Sequence, residues 1–218
     1  MEEMTVRQSE TKRIMRQLMK SRRAVVGGII LLVIIFMAVF APYVTPYDPV
    51  RQDIRNRLQP PSREHIFGTD HFGRDTFTRV VFGARLSLRV GFLSILIAIV
   101  IGCFLGLIAG YYGGMLDNII MRLMDVLMAL PGFLLALAIV AALGPGLENV
   151  IIAIGISYIP SFARLMRSSV LTIRELDYVS AAEAIGSSDA RIIFRHILPN
   201  SLNPIIVMAT LSLAGAIL

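Results

Sequence analysis

Few side chains in this sequence have the type and spacing that covalent or metal chemistry needs. Cys103 is the single cysteine in 218 residues, so no disulfide can close within the chain and no thiolate cluster can hold a metal. Set between Gly102 and Phe104 in an apolar run, it reads as a small core filler. His65, His71 and His196 are not spaced three or four apart, the spacing that puts two rings on one helix face. Arg122 and Asp125 are three apart, which on a helix suits a structural ion pair near a membrane interface better than an ion relay. Asp70 and Asp75 end two near-copies of one pattern, Phe67-Gly68-Thr69-Asp70 and Phe72-Gly73-Arg74-Asp75. Aspartates could offer oxygen ligands to calcium. Rigid turns are the preferred reading, with Gly68 and Gly73 at special backbone angles and the carboxylates accepting backbone hydrogen bonds or pairing with Arg74. The phosphate loop G-x-x-x-x-G-K-[ST] is absent, so ATP must bind elsewhere. No catalytic, metal-binding or cofactor-binding residue is expected in this chain.

The most informative polar segment is Arg164 to Pro199. Within it, Ala181, Ala182 and Ala184 favour helix, Gly186 suits the left-handed position that ends one, and Ser187 or Ser188 can cap the next. Ile192, Ile193 and Ile197 interleave with Arg191 and Arg195 to make that second helix amphipathic. Pro199 fits near the start of the next apolar stretch. Two short helices about a sharp turn form a protruding knuckle, whose small residues would let a partner's groove close around it and pass movement to the adjoining helices.

The surroundings of that knuckle are apolar. Hydrophobic residues make up 56% of the chain and charged ones only 17%. Ala24 to Tyr47, Val90 to Leu116, Val126 to Leu147, Val150 to Ala163 and His196 to Leu218 contain no Asp, Glu, Lys or Arg. Such segregation marks a polytopic membrane protein of all-α class. The net charge of +6 comes from membrane-flanking Arg and Lys rather than from an affinity for nucleic acid. Seven basic residues precede residue 24, which reads as a cytoplasmic tail before an uncleaved first span. Gly102, Gly106 and Gly110 place three glycines on one helix face for close packing. Pro131-Gly132 should kink a helix or start a new one, Leu143-Gly144-Pro145-Gly146 should be an outer turn, and the fourth run should end near Pro160. The last run reaches Leu218 with no charged flank, which reads as a piece of a longer product.

The 180–199 segment resembles the cytoplasmic loop of ABC importer permeases, E-A-A, three residues, G, nine residues, I-x-L-P. Ala181, Ala182, Gly186, Leu198 and Pro199 match at the right spacing, while Ser180 and His196 stand where glutamate and isoleucine are usual. With the paired Phe-Gly-x-Asp motifs, Gly83-Ala84-Arg85-Leu86-Ser87-Leu88, Asp117-Asn118 followed by Met121-Arg122 and Asp125, and Leu143-Gly144-Pro145-Gly146, the chain is similar to the C-type permease subunit of dipeptide, oligopeptide and nickel importers. The resemblance implies a bundle of the type I importer kind, with about five of six spans in this sequence. It implies a second homologous permease as heterodimer partner, two cytoplasmic ATPases that bind ATP and magnesium, and an extracytoplasmic substrate-binding protein. The expected layout is a cytoplasmic tail at 1–23, a first span at 24–44, an extracytoplasmic loop at 45–85 and a permease core at 86–218 with its coupling loop at 164–199. Ala181, Ala182, Gly186, Ser187, Asp189, Arg191, Leu198 and Pro199 are the expected coupling residues. Gly68, Asp70, Gly73, Arg74 and Asp75 form the extracytoplasmic turn, which faces the side a binding protein would dock on. The expected location is the cytoplasmic (inner) membrane, with the N-terminus inside and peptides as the favoured substrate. A nickel or other small-solute importer, an ion-coupled transporter or channel working alone, and a membrane scaffold are the competing readings.

Overall fold

A computed structural model of the chain describes residues 20–217. The first 19 residues of the expected basic tail, and Leu218, lie outside the described residues. Among the described residues four helices are long and apolar enough to cross a membrane, or five spans result if one bent pair counts as a single span. No strand occurs among the described residues, and the all-α class expected of the sequence holds there. The chain divides into two compact units, Met1–Ser87 and Leu88–Leu218.

In the first unit, α1 (Arg22–Val39) starts at Ser21, whose hydroxyl accepts the Ala24 N–H. Only Ala38 of α1 is buried, as suits a helix whose solvent is lipid. The short α2 (Ala41–Val44) comes next, and a single 3-10 turn, Ile54–Asn56, opens the loop. That loop was expected to run to Arg85, but α3 (Thr76–Tyr112) begins well before it. The reason is Asp75, whose Oδ2 accepts the Thr78 N–H at 2.7 Å and caps the helix. At 37 residues α3 extends for about 55 Å at the α-helical rise.

The second unit is built on the pairing of α3 with α6 (Leu147–Arg174). A Cβ built on Gly102 would lie 2.7 Å from the Ile159 carbonyl, one on Gly106 would strike the Ala163 carbonyl, and one on Gly110 would lie 3.0 Å from the Arg167 carbonyl. Gly155 returns the approach from α6, 3.2 Å from the Ser94 carbonyl, and the Ser94 hydroxyl donates to the Ile151 carbonyl at 3.0 Å. Phe162, Met166 and Val170 fill the seam, fully buried. Contrary to the sequence expectation, α6 does not stop near Pro160. The proline is buried inside the helix, which continues to Arg174.

Between them, α4 (Gly114–Met128) and α5 (Gly132–Leu143) are broken at Pro131 and bent by 86°. Gly113 and Gly114, both at positive φ, turn the chain from α3 into α4. The Leu143 to Gly146 turn is closed by Asn149, whose Nδ2 donates to the carbonyls of Leu143 and Gly144. After α6 come α7 (Asp177–Ala184), α8 (Asp189–Ile192), a π-helical turn at Ile193–Ile197, and α9 (Leu198–Ile217). The last three run on as one 29-residue helical stretch.

Replacing Gly106 by Ala should destabilise the protein by about 1–3 kcal/mol, because the added methyl meets backbone that cannot move aside. Gly83→Ala, where a Cβ meets nothing within 4 Å, should be neutral or stabilising by up to about 1 kcal/mol. Thermal unfolding of both variants in detergent checks the contrast.

Candidate coupling site

The knuckle is two helical pieces about one left-handed glycine. Val179 and Ala182, three apart, turn one face of α7 into the core. At its end the Gly186 N–H donates to the Glu183 carbonyl at 2.9 Å and the Ser187 N–H to the Ala182 carbonyl at 3.0 Å. This is the Schellman arrangement, and it requires the positive φ of 79° at Gly186. A Cβ at Gly186 would meet nothing within 4 Å, so the constraint there is conformational rather than steric. Ser188 occupies the N-cap position of α8, yet its side chain makes no capping bond, which corrects the role expected of Ser187 or Ser188. Ile192, Ile193 and Ile197 are buried, while Arg191 and Arg195 stay exposed.

Three side chains hold this knuckle against the ends of α3 and α6. The Tyr111 hydroxyl, at the end of α3, donates to Asp189 Oδ1 at 3.0 Å. Arg174, the last residue of α6, donates from Nη1 to the Tyr111 carbonyl at 2.7 Å, with its guanidinium 5.6 Å from the Tyr111 ring centre. A cation there also offsets the negative C-terminal end of α3. On the other side, Asn200 Nδ2 donates to the His196 carbonyl at 2.6 Å and to the Tyr178 hydroxyl at 3.3 Å, joining α9 to α7. Asp189 was singled out from sequence, whereas Tyr111, Arg174 and Tyr178 were not, because their partners lie far along the chain.

The outward side of the knuckle carries Ala181, Ala184, Ile185 and Gly186, all exposed, while Ala182 packs inward. Ile185 is 83% exposed, so the tip offers one large apolar side chain among small ones. Leu198 is half-buried and Pro199 exposed at the first turn of α9.

Charges along α4 and α6 pair between helices. Arg122 does not take Asp125 as the local spacing suggested. Asp125 Oδ1 instead accepts from Arg164 Nη2 at 2.6 Å, and Asp117 takes both Nε and Nη2 of Arg167 in a two-pronged pair. Arg164 and Arg167 are themselves good helix formers, so α6 runs on through both beyond Pro160.

In the first unit the two Phe-Gly-x-Asp copies do different work. Asp70 Oδ1 accepts the N–H groups of Phe72 and Arg74, and its Oδ2 accepts from Arg74 Nε at 2.7 Å and from Arg79 Nη1. Gly68 and Gly73 sit at φ of 71° and 72°. A Cβ on either would strike a backbone carbonyl, that of Gln59 or Asp53. Asp75, besides capping α3, places Oδ1 2.9 Å from His65 Nδ1. Partial burial pushes the Asp70 carboxyl upward, but the two N–H groups and two guanidinia outweigh it and hold the group well below the usual carboxylate range. Burial likewise opposes ionisation of Asp75, and Thr78 and His65 reverse it.

Several apolar helices, a bent helix pair and a polar knuckle braced on two helix ends define a multi-pass membrane protein. The chain belongs to the family described as binding-protein-dependent transport system inner membrane component, which matches residues 98–218. Residues 9–61 match the N-terminal transmembrane domain of oligopeptide transport permease C. The dipeptide transport system permease protein DppC of Alkalihalophilus pseudofirmus is 54% identical over 203 residues, covering 93% of this chain and 67% of that protein. A putative peptide transport system permease of Brucella suis is 48% identical, covering 93% of this chain and 68% of that protein. The glutathione transport system permease GsiD of Pectobacterium atrosepticum is 43% identical over the same shares. The chain is thus a multi-pass membrane protein of the ABC importer permeases and spans about two thirds of the length of these relatives.

Because both carboxyls are depressed in the folded loop, their contribution is complete above the unfolded carboxylate value near about pH 4 and is lost as pH falls below it. Limited proteolysis of the 53–75 segment should therefore show protection at neutral pH that fails in acid. Asp70→Asn should be cut faster at pH 7 and change less on acidification.

Proposed function

We propose that this chain is one of two permease subunits of an ATP-driven importer of peptides in the cytoplasmic (inner) membrane. The observation that carries the reading is the knuckle, an exposed turn with its own internal hydrogen bonds, braced on two span ends by Asp189, Tyr111 and Arg174. Peptide as cargo is supported by relatives named for dipeptides, peptides and glutathione.

In this reading the basic tail is cytoplasmic, the 45–75 segment lies outside, and the Asp177 to Pro199 knuckle faces the cytoplasm. Two ATPase subunits bind ATP and magnesium, and this subunit performs no covalent step. Each ATPase closure presses on Ile185 and the alanine face around it. The brace passes that displacement to α3 and α6 together, and the spans rock between inward-open and outward-open states. A second, homologous permease completes the pore, and an extracytoplasmic binding protein delivers the peptide. Gly68, Asp70, Gly73, Arg74 and Asp75 keep the outer loop in one shape on that side.

Two variants of the full-length subunit, expressed with its partners, test the reading. Gly186→Trp should leave the permease inserted but abolish or weaken co-purification of the ATPases, since a non-glycine residue at this φ strains the turn by about 1–2 kcal/mol and the ring enlarges the tip. Tyr111→Phe should retain the ATPases yet lower ATP-driven dipeptide uptake by about tenfold, the equivalent of one hydrogen bond. A permease that purifies without ATPases in its unaltered form would overturn the proposal.

A further inference from the structure

Two faces of α3 differ in chemistry. One is the glycine stripe that seats α6. The other, with Ile99, Val100, Phe104, Leu107 and Ile108, is one wall of an open groove of about 540 Å³. Ile193 and Phe194 of the π-helical turn, with Leu198 and Leu202 of α9, form the opposite wall. Val100 and Phe104 are each 60% exposed and Phe194 66%, so nothing among the described residues covers the groove.

Its side chains do not suit a packed helix. Transmembrane helices associate through small residues that let backbones approach, and no Gly, Ser or Thr lines this groove. The walls are aliphatic and aromatic, and the channel between them fits something narrow and flexible. From Ile108 to Ile99 the α3 wall runs about 14 Å at the α-helical rise. One leaflet's share of the hydrocarbon core is about 15 Å. Tyr112, one turn beyond Ile108, lines the end of the groove, and a ring with a hydroxyl suits the membrane–water boundary.

The same end carries positive charge. Asp189 receives the Tyr111 hydroxyl, so α8 starts at the level where α3 ends. Arg191 follows Ala190 and Arg195 follows Phe194, both of which line the groove. The two arginines are exposed, and among the described residues neither forms an ion pair.

We infer that this groove seats an acyl chain of an anionic phospholipid of the cytoplasmic leaflet, with its phosphate held by Arg191 and Arg195. The inference takes its side of the membrane from the importer reading above. Guanidinium forks pair with phosphate oxygens, and basic sites between spans on the cytoplasmic side recognise anionic headgroups. A zwitterionic lipid brings the same chains, but its headgroup cation meets the arginines with like charge. Seated here, the anionic lipid fills the gap between α3 and the stretch that leaves the knuckle.

The test uses the full-length subunit assembled with its partners in phosphatidylcholine nanodiscs that contain a small share of phospholipid with a photoreactive acyl chain. Mass spectrometry after irradiation should place adducts of a phosphatidylglycerol probe on the 99–108 face, with far fewer from a phosphatidylcholine probe. Combining Arg191→Gln with Arg195→Gln should lower the phosphatidylglycerol yield about fivefold for each charge removed and leave the phosphatidylcholine yield unchanged. Val100→Trp, which fills the groove and keeps both arginines, should lower the phosphatidylglycerol yield too. Equal labelling by the two probes, an undiminished yield in the double variant, or adducts that avoid the groove because protein covers it would overturn the inference while leaving the importer reading intact. Should the double variant not assemble, the two probes on the unaltered complex decide the matter. Sidedness is read separately in spheroplasts, where the thiol of Arg63→Cys in a Cys103→Ala background should react with a membrane-impermeant maleimide from outside. Reaction only after permeabilisation would overturn the orientation in the importer reading and, with it, the leaflet assigned to the lipid.

Discussion

Backbone-to-backbone contact between α3 and α6 is the constraint on which the second unit depends. Lipid tails are as apolar as leucine, so no hydrophobic force drives two spans together, and close packing has to supply the attraction instead. Gly102, Gly106 and Gly110 remove the side chains that would hold the helices apart, and Ile159, Ala163 and Arg167 meet them with main-chain oxygen. A seam made this way has little slack. Its two helices end at Tyr112 and Arg174, and the knuckle is attached there through Tyr111 and Arg174.

The same economy governs the charges. Asp117 and Asp125 on α4 are matched to Arg167 and Arg164 on α6. Ion pairs of this kind tie the bent α4–α5 arm to the rigid pair where uncharged residues alone would leave it free to slide. In the loop before α3 a carboxylate is used differently. Asp70 gathers two backbone donors and two arginines around one turn, while Asp75, five residues on, spends its oxygens on a helix start and a histidine. One repeated sequence pattern therefore yields a turn the first time and a cap the second.

Much of this was legible in the sequence because its signals are local. Charge-free runs marked the spans, Gly186 marked the end of α7, the glycine stripe marked a packing face, and Pro131-Gly132 marked the break. What escaped was long-range. Nothing near Arg164 and Arg167 announces that their carboxylates lie 39 and 50 residues earlier, and from the sequence alone the apolar run ends near Pro160. Arg122 and Asp125 were paired by spacing when a neighbouring helix offered Asp125 a better donor. The early start of α3 was concealed because Asp75 belongs to a motif that reads as a turn. Nothing local marks Tyr111, and only the folded chain brings it to Asp189, 78 residues away.

The π-helical turn at Ile193–Ile197 has a bearing on which changes of length this segment can absorb. It carries one more residue than an α-helical turn would, and each residue of helix rotates the chain beyond it by about 100°. Ile192 before it, Ile193 and Ile197 within it, and Ser201, Ile205 and Ser212 after it are all buried, because the wider turn absorbs that extra residue instead of passing its rotation on. Deleting a single residue here would restore a regular α-helix with little change in the side that α9 turns inward, because the wider turn already takes up that residue. Between Ile192 and Leu198 a one-residue deletion should accordingly be borne more easily than a one-residue insertion, which would leave a second extra residue to be taken up or passed on as a rotation of the whole of α9.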